Sequence, residues 1–421
     1  MKVTLINTAD AGGGAPVACL RLLKALDEQK VDVTLLVQHK KTDEPKVEGI
    51  AKNTLTRLKA QFNFLLERLP FIFFHEKDKS VRFAFSTANV GTSIKDEPLV
   101  KDADILHLHW TNSGFLSVVD LKQLMDLGKP IVWTLHDMWT FTGGCHYAGT
   151  CDHFMRECGD CYFLSDAGPN DISHSGWLRK AAMYVGAKNI TFVTCSNWLA
   201  GVAKQSSLLK DFNIKAIPNP IDTNIFLPLN DTDSHAKWCI NPWARIILFG
   251  AANINDKRKG IAYLVEALNI LKNDYEETAL TEVVIFGKNK HFDVSVLPYH
   301  VYQFDMISSQ AELAELYSLA EVLVLPSLED NLPNTAMEAM ACGTPVVAFN
   351  TGGLTEMIDH QKNGYLAEFK SAADLAKGIF EILNSDKKEE LSQNARNKVL
   401  RDYNNETVAR QYMEVYTSAL R

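Results

Sequence analysis

Nowhere in the 421 residues does an apolar run approach the roughly 20 residues of a membrane-spanning helix, so a helical span is not expected. Excess positive charge is missing as well: 43 Lys and Arg stand against 51 Asp and Glu, a formal charge of −8. A protein that grips nucleic-acid phosphates needs the opposite balance, so no nucleic-acid partner is expected. Solenoid repeats and low-complexity tracts are absent, which removes repeat arrays from consideration. Met1 to Thr8 holds one Lys and only a short apolar run before Asp10 and Gly12, too short for a secretory leader and suited to a buried first strand. Together these absences predict a cytoplasmic protein, with peripheral contact on the inner face of the plasma membrane left open.

What is present is an ordinary globular composition, 46% hydrophobic and 22% charged, in a chain too long for one core. Two domains are expected. Short β-branched runs alternate with longer amphipathic stretches, the pattern of parallel sheets covered by helices. Strands are predicted at Val3–Asn7, Val31–Gln38, Ile105–His109, Ile131–His136, Ile190–Cys195 and Lys215–Pro218. A second set follows at Arg245–Phe249, Glu282–Gly287, Val301–Phe304, Glu321–Pro326 and Pro345–Phe349. Pro218 to Asp222 and the polar run through Asn230, Asp231 and Asp233 interrupt the pattern, as a linker does. The expected layout is a domain over 1–220, a linker over 221–244, a domain over 245–400, and a last helix over 401–421 that returns to the first domain. The fold class is α/β, two Rossmann-like doubly wound domains facing across a cleft, with ligands at the carboxyl ends of the strands.

The densest motif runs from Pro326 to Pro345. A strand ends at Pro326-Ser327, a loop carries Asp330, Asn331, Leu332 and Pro333, and a helix starts near Asn334, read as its N-cap. Free N–H groups and the positive dipole end at that start suit a diphosphate or sugar hydroxyls. Glu338, a turn inside, can take both hydroxyls of a ribose, and Asp330 can do the same for a sugar. On local pattern alone, an ordinary β-loop-α unit with a capped helix remains the alternative.

This segment resembles the donor-site signature of GT-B retaining glycosyltransferases of the "glycosyl transferases group 1" (family four) type. That signature is an acidic residue, seven others, then Glu, followed by Ala-Met-Ala-Cys-Gly-Thr-Pro-Val-Val, here Asp330, Glu338 and the run to Val347. The resemblance implies that Asp330 contacts the donor sugar and Glu338 the nucleotide ribose. Glu is usual where Asp330 stands, Glu329 is adjacent, and Pro333 removes a backbone donor from the loop.

The resemblance extends over the chain. Gly12-Gly13-Gly14 lacks the spacing of a dinucleotide fingerprint but is similar to the family's Gly-rich loop over the donor diphosphate, with Gly14 as its last glycine. His136 follows a strand, where the family has a His that reaches the donor sugar. His107 and His109 are read as structural. Asp256-Lys-Arg-Lys-Gly260 brings cations to a strand–helix loop, and Lys259 matches the Lys that pairs with the diphosphate. Asn253 stands where the family has Arg, so Arg258 is expected to supply that charge. A plain turn, a satisfied His and a solvated charge run are the respective structural alternatives. Ser196-Asn-Trp-Leu and Ile217 to Asp222 match family segments near the hinge, and Thr351-Gly-Gly353 with Glu356 resembles a stretch close to the nucleotide.

Two features lie outside that pattern. Four of the eight cysteines crowd into Cys145-x5-Cys151-x6-Cys158-x2-Cys161, which suits a structural zinc, with His146 or His153 as substitute ligands and disulfides or free thiols as alternatives. Leu55 to Leu69 and Pro70 to Phe74 are apolar with Arg57, Lys59 and Arg68 interspersed, as in a membrane-surface helix or one packed on a domain.

The resemblance implies transfer of a hexose from a UDP- or GDP-sugar to a glycan or lipid-linked saccharide, with retained anomeric configuration and no catalytic cofactor. The process expected is cell-surface polysaccharide synthesis. A nucleotide-sugar epimerase of the same architecture and a non-catalytic sugar-nucleotide-binding protein remain the alternatives.

Overall fold

The structure, a computed structural model, describes residues 1–229, 233–275, 280–289 and 292–421. It divides into two compact units, 1–219 with 408–421, and 220–407. Asn230 and Asp231 of the polar run lie outside the described residues, and Asp233–Lys237 is a short helix.

The first unit is built on seven parallel strands, β1 (Lys2–Ala9), β2 (Asp32–His39), β3 (Val47–Gly49), β4 (Ile105–Leu108), β5 (Ile131–Leu135), β6 (Ile190–Thr194) and β7 (Asn213–Ala216). Their order is β3-β2-β1-β4-β5-β6-β7. β4 and β5 are buried along their whole length, because helices cover both faces of a parallel sheet and leave no polar side for alternation. Pairings such as Val3 with Ile105 and Leu106 with Ile131 set the register. The strand order reverses between β1 and β4, the place where open sheets of this kind leave a crevice.

The second unit holds six parallel strands, β8 (Arg245–Asn253), β9 (Thr281–Lys288), β10 (Val301–Phe304), β11 (Val322–Leu325), β12 (Val346–Phe349) and β13 (Gly364–Ala367). Their order, β10-β9-β8-β11-β12-β13, repeats the pattern of the first sheet with the reversal between β8 and β11. The amphipathic helix Ala372–Leu383 buries Leu375, Ala376, Ile379 and Ile382 against β12 and β13, as its 3.6-residue spacing dictates.

The last helix, Asn405–Ala419, places Val408, Tyr412, Val415 and Tyr416 in the core that contains Val3, Leu5, Leu22 and Leu26. Both units are Rossmann-like. The eleven strands expected from sequence are present, with Lys215–Pro218 shifted to Asn213–Ala216. β3 and β13 were not anticipated. They are three and four residues long and pair on one side only, too short to show a period of two. The cap is corrected as well: Pro333, at φ −67° and ψ 123°, is the N-cap of Asn334–Ala341, and Asn334 is the first helical residue.

Candidate active site

β8 and β11 are neighbours, so the loops leaving their carboxyl ends are brought together. Gly260 makes this contact close. Its φ is 72°, and a Cβ there would stand 1.8 Å from the Pro326 carbonyl oxygen. The Leu328 amide donates to the Arg258 carbonyl (2.8 Å), and Arg258 Nη1 donates to the Glu329 carbonyl (2.7 Å). Against this frame Lys259 Nζ donates to Asp330 Oδ2 at 2.5 Å, and Arg258 Nη1 stands 3.7 Å from Oδ1. Ser327 Oγ donates to the same carboxylate (3.3 Å). Burial alone would raise the Asp330 carboxyl, but Lys259 and Arg258 outweigh it and hold it below the ordinary range. Asp256 fixes Arg258 from the other side, 3.3 Å from Nη2. The two cations are partly exposed while the carboxylate beneath them is buried.

Asn331 and Leu332 are buried in the loop, and Asn334 is half-buried at the helix start. Glu338, 5% exposed, accepts from the Tyr317 hydroxyl at 2.8 Å. Thr344 Oγ1 in turn donates to the Tyr317 carbonyl (2.6 Å), which ties the helix Gln310–Leu319 to the far end of Asn334–Ala341. Sequence reasoning missed Tyr317 and Ser327, because neither sits in a motif of its own and Tyr317 reads as core. The Gly353 amide donates to the Asp330 carbonyl (3.0 Å), so Thr351-Gly-Gly353 braces the loop. Glu356 lies half-buried on the short helix Leu354–Met357. Asn253 ends β8 and accepts from the Asn255 amide (3.1 Å), while Arg258 faces Asp330.

In the first unit, His109 and His136 follow the adjacent strands β4 and β5, and His109 Nδ1 meets His136 Nε2 at 3.0 Å. His107 lies deeper, its Nδ1 2.7 Å from the Tyr416 hydroxyl and its Nε2 2.8 Å from Thr134 Oγ1. Burial pushes His136 down to about 4 and His107 to about 3, and it pushes His109 well below its ordinary value. All three rings are therefore neutral near pH 7. The bond between His109 and His136 is consistent with this, since its accepting nitrogen must carry a lone pair and so rules out protonation of both rings at once. Asp137 accepts from His146 Nδ1 (2.7 Å), Trp110 Nε1 (3.1 Å) and the Trp139 amide (2.9 Å). His107 thus has both ring nitrogens engaged inside the core, whereas His109 touches His136 directly.

Gly14 opens the helix Gly14–Glu28 after β1. Asp10 braces the approach to its loop, accepting from the amides of Lys41 (2.7 Å) and Thr42 (2.9 Å). Gly14 and His136 thus stand on the carboxyl edge of one sheet. Asp330, Lys259, Arg258, Asn331, Leu332, Asn334 and Glu338 gather at that of the other.

The cysteine expectation is corrected. Cys145, Cys158 and Cys161 are buried, Cys151 is half-buried, and all are free thiols. Among the described residues no three His, Cys, Asp or Glu side chains are placed to hold one metal ion, so the residues do not fit a zinc. The substitute ligands are engaged elsewhere. His146 uses both ring nitrogens, on Asp137 and on Ser86 Oγ (2.9 Å), and His153 Nδ1 bonds the Gly159 carbonyl (2.7 Å). Burial raises Cys158 to about 11 and Cys161 to about 12, which keeps the thiols protonated. The loop is fastened by other means: Lys180 Nζ donates to the carbonyls of Trp139 and Thr142 and lies 3.6 Å from the Trp139 ring centroid.

The model of "Glycosyltransferase Family 4" matches residues 12–225, and that of "Glycosyl transferases group 1" matches residues 235–398. D-inositol 3-phosphate glycosyltransferase of Pseudarthrobacter chlorophenolicus is 27% identical over 293 residues, 67% of this chain and 63% of that protein, so the match spans less than two thirds of its length. N-acetyl-alpha-D-glucosaminyl L-malate synthase of Bacillus anthracis is 26% identical over 387 residues, 86% of this chain and 90% of that protein. Anabaena Alr3699/HepE, solved in complex with UDP-glucose, superposes with a TM-score of 0.64 at 15% identity, covering 99% of this chain and 100% of that one, a likeness of fold. With half of its length matched by one family model and most of the remainder by the other, the chain belongs to glycosyltransferase family 4, of the group 1 type.

Proposed function

We propose that the protein is a retaining glycosyltransferase that moves a hexose from a UDP- or GDP-sugar to a hydroxyl of a glycan or lipid-linked saccharide, in the synthesis of cell-surface polysaccharide. The observation that carries this is the convergence of Lys259 and Arg258 over Asp330, beside the N-terminus of Asn334–Ala341 and at the strand-order reversal of the second sheet. Breaking the bond from the anomeric carbon to the diphosphate leaves negative charge on the departing oxygen. Cations already fixed by Asp256 and Asp330 meet that charge without reorganising. The helix start at Asn334 adds its dipole, and Asn331 and Leu332 shape the approach. Asp330 is assigned to sugar hydroxyls and Glu338 to the ribose diol. In the first unit Gly14 is assigned to the diphosphate loop, and neutral His136 to a sugar hydroxyl. The acceptor oxygen bonds the anomeric carbon on the face the diphosphate leaves, and its proton passes to the departing phosphate oxygen. The step draws on no cofactor. A cytoplasmic location with peripheral membrane contact accompanies a lipid-linked acceptor, and among the described residues no helix is long and apolar enough to cross a membrane.

The test is thermal-shift screening against UDP, GDP, ADP and their sugars, then product detection with the donor that stabilises most. Transfer or slow donor hydrolysis that disappears in Glu338→Ala, with the circular dichroism spectrum retained, supports the proposal. No stabilisation by any nucleotide and no turnover of any donor contradicts it.

A further inference from the structure

The helix Thr54–Pro70 is turned inside out. The side chains it buries are Ala60, Asn63, Glu67 and Arg68, three of them polar or charged. Asn63 Nδ2 donates to the Gly91 carbonyl (2.9 Å) and Thr92 Oγ1 (3.0 Å). Arg68 donates to the Phe85 carbonyl (2.6 Å) and Ser86 Oγ (2.7 Å), and Glu67 Oε1 accepts from the Ala88 amide (3.3 Å). Polar bonds thus seat this helix on the protein, and its apolar side chains face away. Leu55, Leu58, Phe62, Leu65, Leu66 and Leu69 are all exposed, Leu55 at 77% and Phe62 at 59%. At ~100° per residue they occupy one arc of about 100°. Phe73 and Phe74, in the turn Phe71–His75 that follows, extend the face at 72% and 71% exposure. A helix stabilised by packing on its own domain presents the opposite arrangement.

Charge identifies what covers this face. From residue 52 to residue 82 the side chains that reach solvent are Lys52, Arg57, Lys59, Lys77, Lys79 and Arg82 against Glu76 and Asp78, in a chain whose overall charge is −8. Beside the first turns of the helix lies an open cavity of about 760 Å³, where Lys40, Lys41, Lys52 and Arg57 outnumber Asp43 and Glu48. Lys52 is paired with Glu48 (2.9 Å), which leaves an excess of cationic groups. His39, also on the cavity wall, is held below its ordinary value by burial and then by Lys41 and Arg57, the sign of a positive local potential. A cationic hollow beside an exposed apolar stripe matches a phosphate headgroup above acyl chains.

We infer that Thr54–Pro70 and the turn after it form a docking face for an anionic bilayer, with the Leu and Phe stripe at the acyl boundary and a lipid phosphate in the cavity beside Arg57. The catalytic proposal is not needed for this, and binding is read without turnover. The experiment is flotation of the full chain with phosphatidylcholine vesicles, with and without phosphatidylglycerol. Association is expected with the anionic vesicles and is expected to weaken in high salt. Phe62→Ser with Leu65→Ser and Phe73→Ser lowers partitioning about a hundredfold or more with the melting temperature unchanged, since these side chains touch solvent. Lys40→Glu with Arg57→Glu lowers it at least about tenfold on anionic vesicles, more than Lys77→Glu with Lys79→Glu outside the cavity. Equal losses in the two charge pairs overturn the headgroup site. Failure of the unaltered chain to float overturns the docking face, as does a dimer in light scattering that the serine substitutions dissociate.

Discussion

At the carboxyl edge of the second sheet, two cations close over a buried carboxylate that they hold ionised. At the same edge of the first sheet, two histidines face each other as neutral rings, and burial keeps them so. The strand orders share one pattern around the reversal, so topology there does not account for the difference. It comes from the loops: Asp256 to Gly260 brings its own cations and a glycine that allows close approach, whereas the loops after β4 and β5 bring His109, Trp110, His136 and Trp139, with one carboxylate, Asp137, engaged by His146, Trp110 and the Trp139 amide. One scaffold thus offers fixed positive charge suited to an anion on one edge, and neutral imidazoles beside a hydrogen-bonded carboxylate on the other.

The largest expected effect falls on the charged edge. Lys259→Ala lowers kcat/KM by about 10²–10³, the cost of removing a preorganised electrostatic contact, whereas the exposed neighbour Lys257→Ala changes it less than about twofold. Equal losses in both would reduce the cluster to a general charge effect. Next is Gly260→Ala, which places a methyl against the Pro326 carbonyl and an alanine at φ 72°; a loss of about 2–3 kcal/mol in denaturant titration is expected. The neutral edge is read through pH. His136 and His107 titrate near 4 and 3 when folded and near 6.5 when unfolded, so below pH 6.5 the unfolded chain binds more protons. Stability is complete above pH 6.5 and declines as pH falls toward 4, and His136→Asn should flatten part of that slope. A profile level from pH 7 to 5 would show that the rings are not held neutral. The smallest effect is Tyr317→Phe, which removes one hydrogen bond to Glu338 and costs about 1–3 kcal/mol of stability or donor affinity.

Much of this was legible in the sequence, for physical reasons that differ from place to place. Buried parallel strands such as Ile131–Leu135 are continuous apolar runs, and turn residues bound them clearly. Asp330, Lys259 and Arg258 were found from separate motifs, but their mutual contact needed the adjacency of β8 and β11, which spacing along the chain does not encode. The cysteine spacing suggested ligands, yet His146 is committed to Asp137 and Ser86, a fact of three dimensions. The apolar run near Leu55 was visible. Its outward orientation was not, because Asn63, Glu67 and Arg68 look like an exposed face until their partners are seen.

The most direct test of the donor assignment is calorimetric titration of the wild type, Lys259→Ala and Glu338→Ala with UDP, GDP and the corresponding nucleosides. The account predicts that Lys259→Ala weakens a nucleoside diphosphate at least about tenfold and leaves the nucleoside unchanged, while Glu338→Ala weakens both. Wild-type affinity for the diphosphate in both variants would contradict it.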